Sequence, residues 1–142
     1  MKIMYTAHAT SVGGRGGGTA KTADGALDLK LDHPVEMGGK GDGVNPEQLF
    51  AVGYSSCYLG AMKFVAGKMS PPVKLADDSS TTAHVSFGAR DDGEGFGLEV
   101  VMDVNLPGID KAVAQDIAAK AHVVCPYSHA TKGNIKVTTN VL

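Results

Sequence analysis

Residues 45–68 have the sequence NPEQLFAVGYSSCYLGAMKFVAGK, and this stretch decides the fold. Asn45 is a favoured N-cap residue, Pro46 suits the first helical position, and Glu47 suits the positive end of the helix dipole. We therefore predict a helix from about Pro46 to about Lys68. Apolar side chains occupy nearly every face of this helix, which predicts burial on all sides. In a chain of 142 residues, one face then needs a sheet and the other a partner subunit.

The segment before this helix has the pattern of three short strands. Apolar side chains alternate from Lys2 to Thr10, which predicts the first strand. A glycine run that contains Arg15 follows. The stretches 16–23 and 27–31 then predict a hairpin around the turn pair Asp24-Gly25.

The segment after the helix predicts two long strands, a second helix capped by Asp110, a short helical turn and a last strand. The cysteine before Pro126 ends the second helix, because a residue that precedes proline is disfavoured in helical geometry. The boundaries are Thr81–Arg90 and Phe96–Val104 for the strands, Ser128–Lys132 for the turn and Ile135–Val141 for the last strand. This order of elements predicts an α+β fold.

The composition excludes several classes of protein. A hydrophobic content of 43% and a charged content of 20% predict one folded domain over residues 1–142. The net charge of −2 offers no basic surface for nucleic acid and no polybasic membrane anchor. Glycine, serine and lysine interrupt the apolar stretch 49–67, which argues against a membrane span. We expect a cytoplasmic protein, since no signal sequence is evident at the N-terminus.

The two cysteines, Cys57 and Cys125, are the first candidates for chemistry. Both could be packed core residues, and Cys125 could also be a resolving thiol exposed where its helix ends. A thiol in the middle of a helix needs a nearby cation to become reactive, and Arg15, on a flexible glycine loop, is the candidate. Glu47 could hold Arg15 through a bidentate ion pair. The alternatives are an exposed turn arginine and a surface carboxylate.

A metal site is a weak alternative at the second cysteine. His122, Cys125 and His129 form the pattern H-x2-C-x3-H, and cysteine and histidine are zinc ligands. Pro126 breaks the helix between them and no paired C-x2-C is present, so we expect no metal.

Four segments together resemble the organic hydroperoxide resistance proteins, within the wider Ohr/OsmC group. They cover the chain in the family's order, and the V-C-P-Y-S form is typical of the Ohr branch. The segments are Gly13-Gly14-Arg15, Asn45-Pro46-Glu47-Gln48-Leu49-Phe50, Gly53-Tyr54-Ser55-Ser56-Cys57 and Val124-Cys125-Pro126-Tyr127-Ser128.

The resemblance implies a thiol peroxidase that reduces organic hydroperoxides to alcohols. Cys57 matches the peroxidatic cysteine, Cys125 the resolving cysteine that forms an intramolecular disulfide, Arg15 the activating arginine and Glu47 its carboxylate partner. The implied fold is OsmC-like, with antiparallel sheets wrapped around central helices in an intertwined homodimer. No resident cofactor is implied, and an external dithiol, lipoyl-bearing rather than thioredoxin, is the expected reductant.

The expected substrate wall is apolar and includes Phe50, Tyr54 and Met62, which would favour fatty or aromatic hydroperoxides over hydrogen peroxide. Residues of these types at helical spacing are also common in plain cores. Around the cysteine, Ser55, Ser56 and Tyr58 replace alanines and a phenylalanine common in the family, and they are expected to make this wall more polar.

The spacing of Glu47 and Cys57 predicts a site that combines two chains. The two residues are ten positions apart, or about 15 Å along one straight helix. If Arg15 serves Cys57 while paired with Glu47, we therefore predict that the partner subunit contributes Glu47. Two further interpretations stay open: an OsmC-branch peroxidase, and a redox-sensing or small-molecule-binding protein without enzymatic activity.

Overall fold

All 142 residues are described by the computed structural model, which divides into the units Met1–Leu49 and Phe50–Leu142. Each unit contains a three-stranded sheet. The single domain expected over residues 1–142 stays a prediction.

The sheet of the first unit is antiparallel and has the order β1-β2-β3. Its strands are β1 (Ala9–Val12), β2 (Thr19–Thr22) and β3 (Asp28–Lys30). The hairpin predicted around Asp24-Gly25 is confirmed: Asp24 Oδ1 accepts a 3.0 Å hydrogen bond from the Ala26 amide, and Gly25 has a φ of +74°. Glycine suits this position because it adopts positive φ without a steric penalty.

The first strand begins later than the prediction of Lys2 to Thr10. β1 covers only Ala9–Val12, because β2 offers four partner residues, with Ala9 opposite Thr22 at one end. A half-buried strand shows alternating apolar and polar side chains, but its backbone N–H and C=O groups also need hydrogen-bond partners on a neighbouring strand. The apolar residues before the strand are exposed; they include Ile3, Met4 and Tyr5.

The predicted central helix is confirmed in its bounds, as α1 (Pro46–Lys68). Asn45 caps it: its Oδ1 accepts a hydrogen bond from the Gln48 amide, and Gln48 Oε1 accepts one from the Asn45 amide, both 2.9 Å long. This reciprocal pair satisfies two amides that the helix leaves free at its start.

Within the single chain only one face of α1 is buried, and coverage of the other face by a partner subunit stays a prediction. One face is buried, whereas Val52 and Phe64 are 66% and 56% exposed. One sheet and one further long helix cannot cover the whole circumference of a helix of 23 residues. The helix is long and apolar enough to cross a membrane, but its buried face belongs to the core of the second unit, as in soluble proteins. The buried residues are Tyr54, Tyr58, Ala61, Met62, Val65 and Ala66.

The sheet of the second unit is mixed, although the resemblance implied antiparallel sheets. Its strands are β4 (Ser80–Ala89), β5 (Phe96–Asn105) and β6 (Val137–Val141). The β4–β5 hairpin is antiparallel as predicted, and β6 pairs with β5 in parallel. Parallel pairing requires a long crossover, and the helices α2 (Lys111–Val124) and α3 (Pro126–Thr131) supply it. The α+β class is confirmed.

The core of the second unit lies among β5, α1 and α2. Alternate β5 side chains, Val100, Met102 and Val104, are fully buried, and Ile117 and Ala121 of α2 pack in the same cluster. The start of α2 is set by Asp110, whose Oδ1 accepts hydrogen bonds from the Ala112 and Val113 amides at 2.9 and 3.3 Å.

We expect the substitution Asp110→Ala to lower the free energy of unfolding by about 1 kcal/mol, because two amides at the start of α2 lose their acceptor. Urea unfolding followed by circular dichroism measures this change. Asp110→Asn keeps a capping oxygen and is the matched control. Equal losses in the two variants would contradict the capping role.

Candidate active site

The glycines of the loop that carries Arg15 are required by its backbone shape. Gly14 has a φ of +67°, a backbone conformation that disfavours other residues. A Cβ on Gly18 would lie 2.3 Å from the Val12 carbonyl oxygen, so the loop closes more tightly than any side chain allows. Gly16 leaves room for His33, whose Nε2 would be 3.1 Å from a Cβ at that position.

Arg15 and Glu47 form the predicted bidentate pair within one chain. The two guanidinium nitrogens lie 2.8 and 3.3 Å from the two carboxylate oxygens. The side chains are 32% and 14% exposed, so the pair is partly shielded from water. A planar guanidinium held at two points has its remaining N–H groups aimed in fixed directions.

The two cysteines meet at the junction of α2 and α3. Cys125 Sγ lies 3.4 Å from Cys57 Sγ, within hydrogen-bonding distance for sulfur, and both are free thiols. Cys57 is half-buried on α1, whereas Cys125 is fully buried. From sequence spacing alone, both cysteines are interpreted as packed core residues. The contact between the two sulfur atoms is known only from the structure.

The environment of Cys57 disfavours its thiolate. Burial raises the pKa of the Cys57 thiol, and the neighbouring Cys125 raises it further. A hydrogen bond from the Tyr127 amide acts in the opposite direction and lowers this pKa. Because burial is the largest of these effects, a reactive Cys57 requires stabilisation by positive charge.

Tyr127 of α3 packs against two aromatic rings of the helix that carries Cys57. The ring of Tyr127 lies 6.0 Å from that of Phe50 and 5.8 Å from that of Tyr54, centroid to centroid. Gly53 makes room for Tyr127, because a Cβ there would lie 2.9 Å from its hydroxyl oxygen. Of the three residues expected to contact substrate, Tyr54 and Met62 are fully buried and Phe50 packs at the edge of the core. Their role toward substrate stays a prediction.

The hydroxyl groups of Ser55, Ser56 and Tyr58, beside Cys57, all donate hydrogen bonds to carbonyl oxygens of the protein. Ser55 and Ser56 both donate to the Val52 carbonyl, at 3.2 and 2.7 Å, and Tyr58 donates to the Ala118 carbonyl at 2.7 Å. Burial raises the pKa of Tyr58, which keeps its hydroxyl protonated as this donor. The two serine hydroxyls therefore bond within α1, and the Tyr58 hydroxyl connects α1 to α2.

A partly buried polar network lies behind the cysteines, and no sequence pattern predicted it. His122 Nδ1 lies 2.9 Å from Ser128 Oγ, and Nε2 lies 2.8 Å from Thr139 Oγ1. The Tyr54 hydroxyl lies 3.0 Å from the same Ser128 oxygen. The only signal in the sequence was the group His122, Cys125 and His129, considered there for zinc. The structure contains no group of three residues suited to hold a metal ion.

A family model described as OsmC-like protein matches residues 39–140. The chain belongs to the Ohr/OsmC family. It is 51% identical over 138 residues to an organic hydroperoxide resistance protein of Xanthomonas axonopodis pv. citri, an alignment that covers 96% of this chain and 94% of the relative. The family resemblance carried by the four sequence segments is thereby confirmed.

Solved structures of the Ohr/OsmC family have the same fold. The crystal structure of an organic hydroperoxide resistance protein from Elizabethkingia anophelis has a TM-score of 0.89 at 44% identity, with 99% of this chain and 98% of that chain covered. The OhrB protein of Bacillus subtilis gives a TM-score of 0.86 at 36% identity, with 97% and 98% covered. The OsmC-like fold is confirmed.

The pH dependence of stability should report the environment of His122. Burial lowers the pKa of His122 below its usual value of 6.5. As the pH falls below about 6.5, the unfolded chain binds a proton at this residue that the folded chain does not, so stability is lost toward acid pH. We expect the free energy of unfolding to fall more between about pH 7.5 and pH 5.5 in the wild type than in His122→Gln.

Urea titrations at the two pH values measure this difference. The other histidines are common to both proteins, so they cancel in the comparison. Parallel pH profiles would contradict a lowered pKa at His122.

Proposed function

We propose that the chain is a cysteine-based thiol peroxidase that reduces organic hydroperoxides to alcohols. The observation that carries this proposal is the 3.4 Å approach of Cys57 and Cys125, one thiol half-buried and the other fully buried. Family membership supports the substrate class, because the relatives named above are organic hydroperoxide resistance proteins.

The proposed reaction has three balanced steps. The Cys57 thiolate attacks the distal oxygen of ROOH, the O–O bond breaks, and protonation of the departing alkoxide gives ROH and the sulfenic acid of Cys57. The Cys125 thiol then attacks this sulfur, and the Cys57–Cys125 disulfide forms with release of water. An external dithiol reduces the disulfide by two exchange steps and is itself oxidised to a disulfide.

Arg15 is the proposed cation for the first step. A guanidinium beside the Cys57 sulfur lowers the pKa that burial raises, and it also stabilises negative charge on the leaving alkoxide. The bidentate contact with Glu47 holds Arg15 in one orientation. Glu47 is thus a positioning residue, and Arg15, Cys57 and Cys125 carry the chemistry.

The proposed site combines two chains of a homodimer, with the Arg15–Glu47 pair contributed by the partner of the chain that supplies Cys57. The ten-residue separation of Glu47 and Cys57 along α1 supports this arrangement. Exposed apolar side chains on both units support a homodimer, because a surface of this kind is commonly covered by another subunit. They include Ile3, Tyr5, Val52 and Phe64.

The proposed partners follow from this chemistry. A lipoyl-type dithiol supplies the electrons, and neither a metal nor a resident cofactor takes part. The apolar wall that includes Phe50, Tyr54 and Met62 would select bulky organic hydroperoxides. We place this activity in the cytoplasm, without a role for nucleic acid or membrane binding.

The activity is tested by the consumption of cumene hydroperoxide and of hydrogen peroxide with dihydrolipoamide as reductant. We expect turnover with a strong preference for the organic peroxide, reduced to background in Cys57→Ser because the attacking sulfur is absent. Arg15→Ala should lower the rate by about 100-fold to 1,000-fold, as removal of one charge-stabilising donor commonly does.

Ser56→Ala is the control, because it removes an exposed hydroxyl beside Cys57 and no proposed functional group. Binding of the peroxide without turnover by any dithiol would instead favour a sensing or binding protein. Equal use of both peroxides would contradict the proposed apolar selection.

The shared site is tested by mixing two inactive variants, Cys57→Ser and Arg15→Ala, through co-expression. In a site built from two chains, each mixed dimer regains one intact site, so we expect about one quarter of the wild-type activity per site. A site built within one chain would give no recovery, and this result would contradict the two-chain arrangement.

A further inference from the structure

The polar network behind the cysteines takes part in none of the three proposed chemical steps, although the ring of Tyr54 also belongs to the proposed substrate wall. It connects the segments that carry the two thiols. We define the His122 network as Tyr54 on α1, His122 on α2, Ser128 on α3 and Thr139 on β6. Its three links, at 2.8 to 3.0 Å, run from Tyr54 to Ser128, from Ser128 to His122 and from His122 to Thr139.

The network brackets both cysteines along the chain. His122 lies three residues before Cys125 and Ser128 three residues after it, so their hydrogen bond spans the α2–α3 junction. Tyr54 lies three residues before Cys57, nearly one helical turn away on α1. A displacement of the junction relative to α1 therefore stretches at least one link of the network.

Burial makes these links costly to break. Tyr54 is fully buried, and Ser128 is 5% exposed. A buried hydroxyl that loses its partner has little water to replace it, so loss of the Tyr54–Ser128 link exceeds that of an exposed hydrogen bond. The two links of His122 are partly buried. The network thus opposes small movements of α3 more strongly than the same number of surface contacts would.

His122 is the central member because it touches three other elements. Its Nε2 is anchored to Thr139 on the sheet, and its Nδ1 contacts Ser128 on α3. Its ring also packs on the Tyr58 ring, at 4.5 Å between centroids, beside Cys57 on α1. The imidazole therefore connects β6 to α1, which carries Cys57, and to the α2–α3 junction, which carries Cys125.

We propose that His122 is a positioning residue that, through Ser128, holds the α2–α3 junction so that the Cys125 sulfur stays against Cys57 and the disulfide is favoured over the dithiol. The proposal rests on the disulfide step of the proposed function. A thiol held at 3.4 Å has a high effective concentration at its partner, and closure to the bond length of about 2.05 Å needs only a small further approach. Without the network the junction is freer, and this concentration falls.

The experiment measures the exchange equilibrium of the full chain with dithiothreitol: protein dithiol plus oxidised dithiothreitol gives protein disulfide plus reduced dithiothreitol. We expect Ser128→Ala and His122→Gln to shift this equilibrium toward the protein dithiol by about 10-fold to 100-fold. Ser128→Thr, which keeps the hydroxyl, should restore most of the wild-type value. Ser56→Ala, which removes a hydroxyl outside the network, should leave it unchanged.

Two further measurements separate positioning from general stability. Thr139→Val is nearly isosteric and removes the hydroxyl that contacts His122 and Tyr58, so it provides a second test if the other variants unfold. Single-turnover loss of cumene hydroperoxide should be unchanged in the Ser128, His122 and Thr139 variants, since the proposed first step uses Cys57 and Arg15 and none of these three residues. A purely structural network would destabilise dithiol and disulfide forms equally and leave the equilibrium constant at the wild-type value, which would overturn the proposal.

The exchange assay needs no peroxide, so the two proposals fail in different ways. A wild type that forms the disulfide with oxidised dithiothreitol but does not consume hydroperoxide contradicts the peroxidase function and leaves the positioning result valid. A wild type that forms no Cys57–Cys125 disulfide overturns the positioning role as well. A shift toward the disulfide in Ser128→Ala would overturn it too, because the network would then hold the sulfurs apart.

Discussion

The surroundings of the two thiols depend on a backbone constraint at Pro126. The residue before a proline is disfavoured in helical geometry, and Cys125 ends α2 with φ −68° and ψ 119°. Its N–H still bonds the Ala121 carbonyl, so its side chain stays on the buried face of α2, and its sulfur lies 3.4 Å from Cys57. The turn after Cys125 directs α3 toward α1, where the Tyr127 amide reaches Cys57 and Ser128 reaches Tyr54.

Two tyrosine hydroxyls on α1 form hydrogen bonds that connect this helix to α2 and α3. Tyr54 and Tyr58 are fully buried in the core, yet each hydroxyl has a partner: Ser128 for Tyr54 and the Ala118 carbonyl for Tyr58. Each ring thus contributes apolar area while its polar tip specifies how α1 lies against the helices that follow β5. A phenylalanine would bury equally well at either position but would specify no register between these elements.

The sequence predicted elements best where the signal is local. The bounds of α1 follow from Asn45 and the residues after it, and the hairpin of the first unit follows from Asp24-Gly25, because caps and turns depend on a few neighbouring residues. The start of β1 and the parallel pairing of β6 depend on which strand lies alongside, and this is a property of the whole fold. The resemblance named Cys57, Cys125, Arg15 and Glu47, but the network around His122 could not be predicted, since its members come from four separate elements.

The glycine loop around Arg15 has a consequence for how this protein tolerates change. Its shape is specified by backbone torsions and by the close approach at Gly18, where a Cβ would lie 2.3 Å from the Val12 carbonyl oxygen. The direction of the guanidinium depends in addition on Glu47 at the start of α1. One added carbon at Gly18 would therefore disturb Arg15 although no functional group is altered.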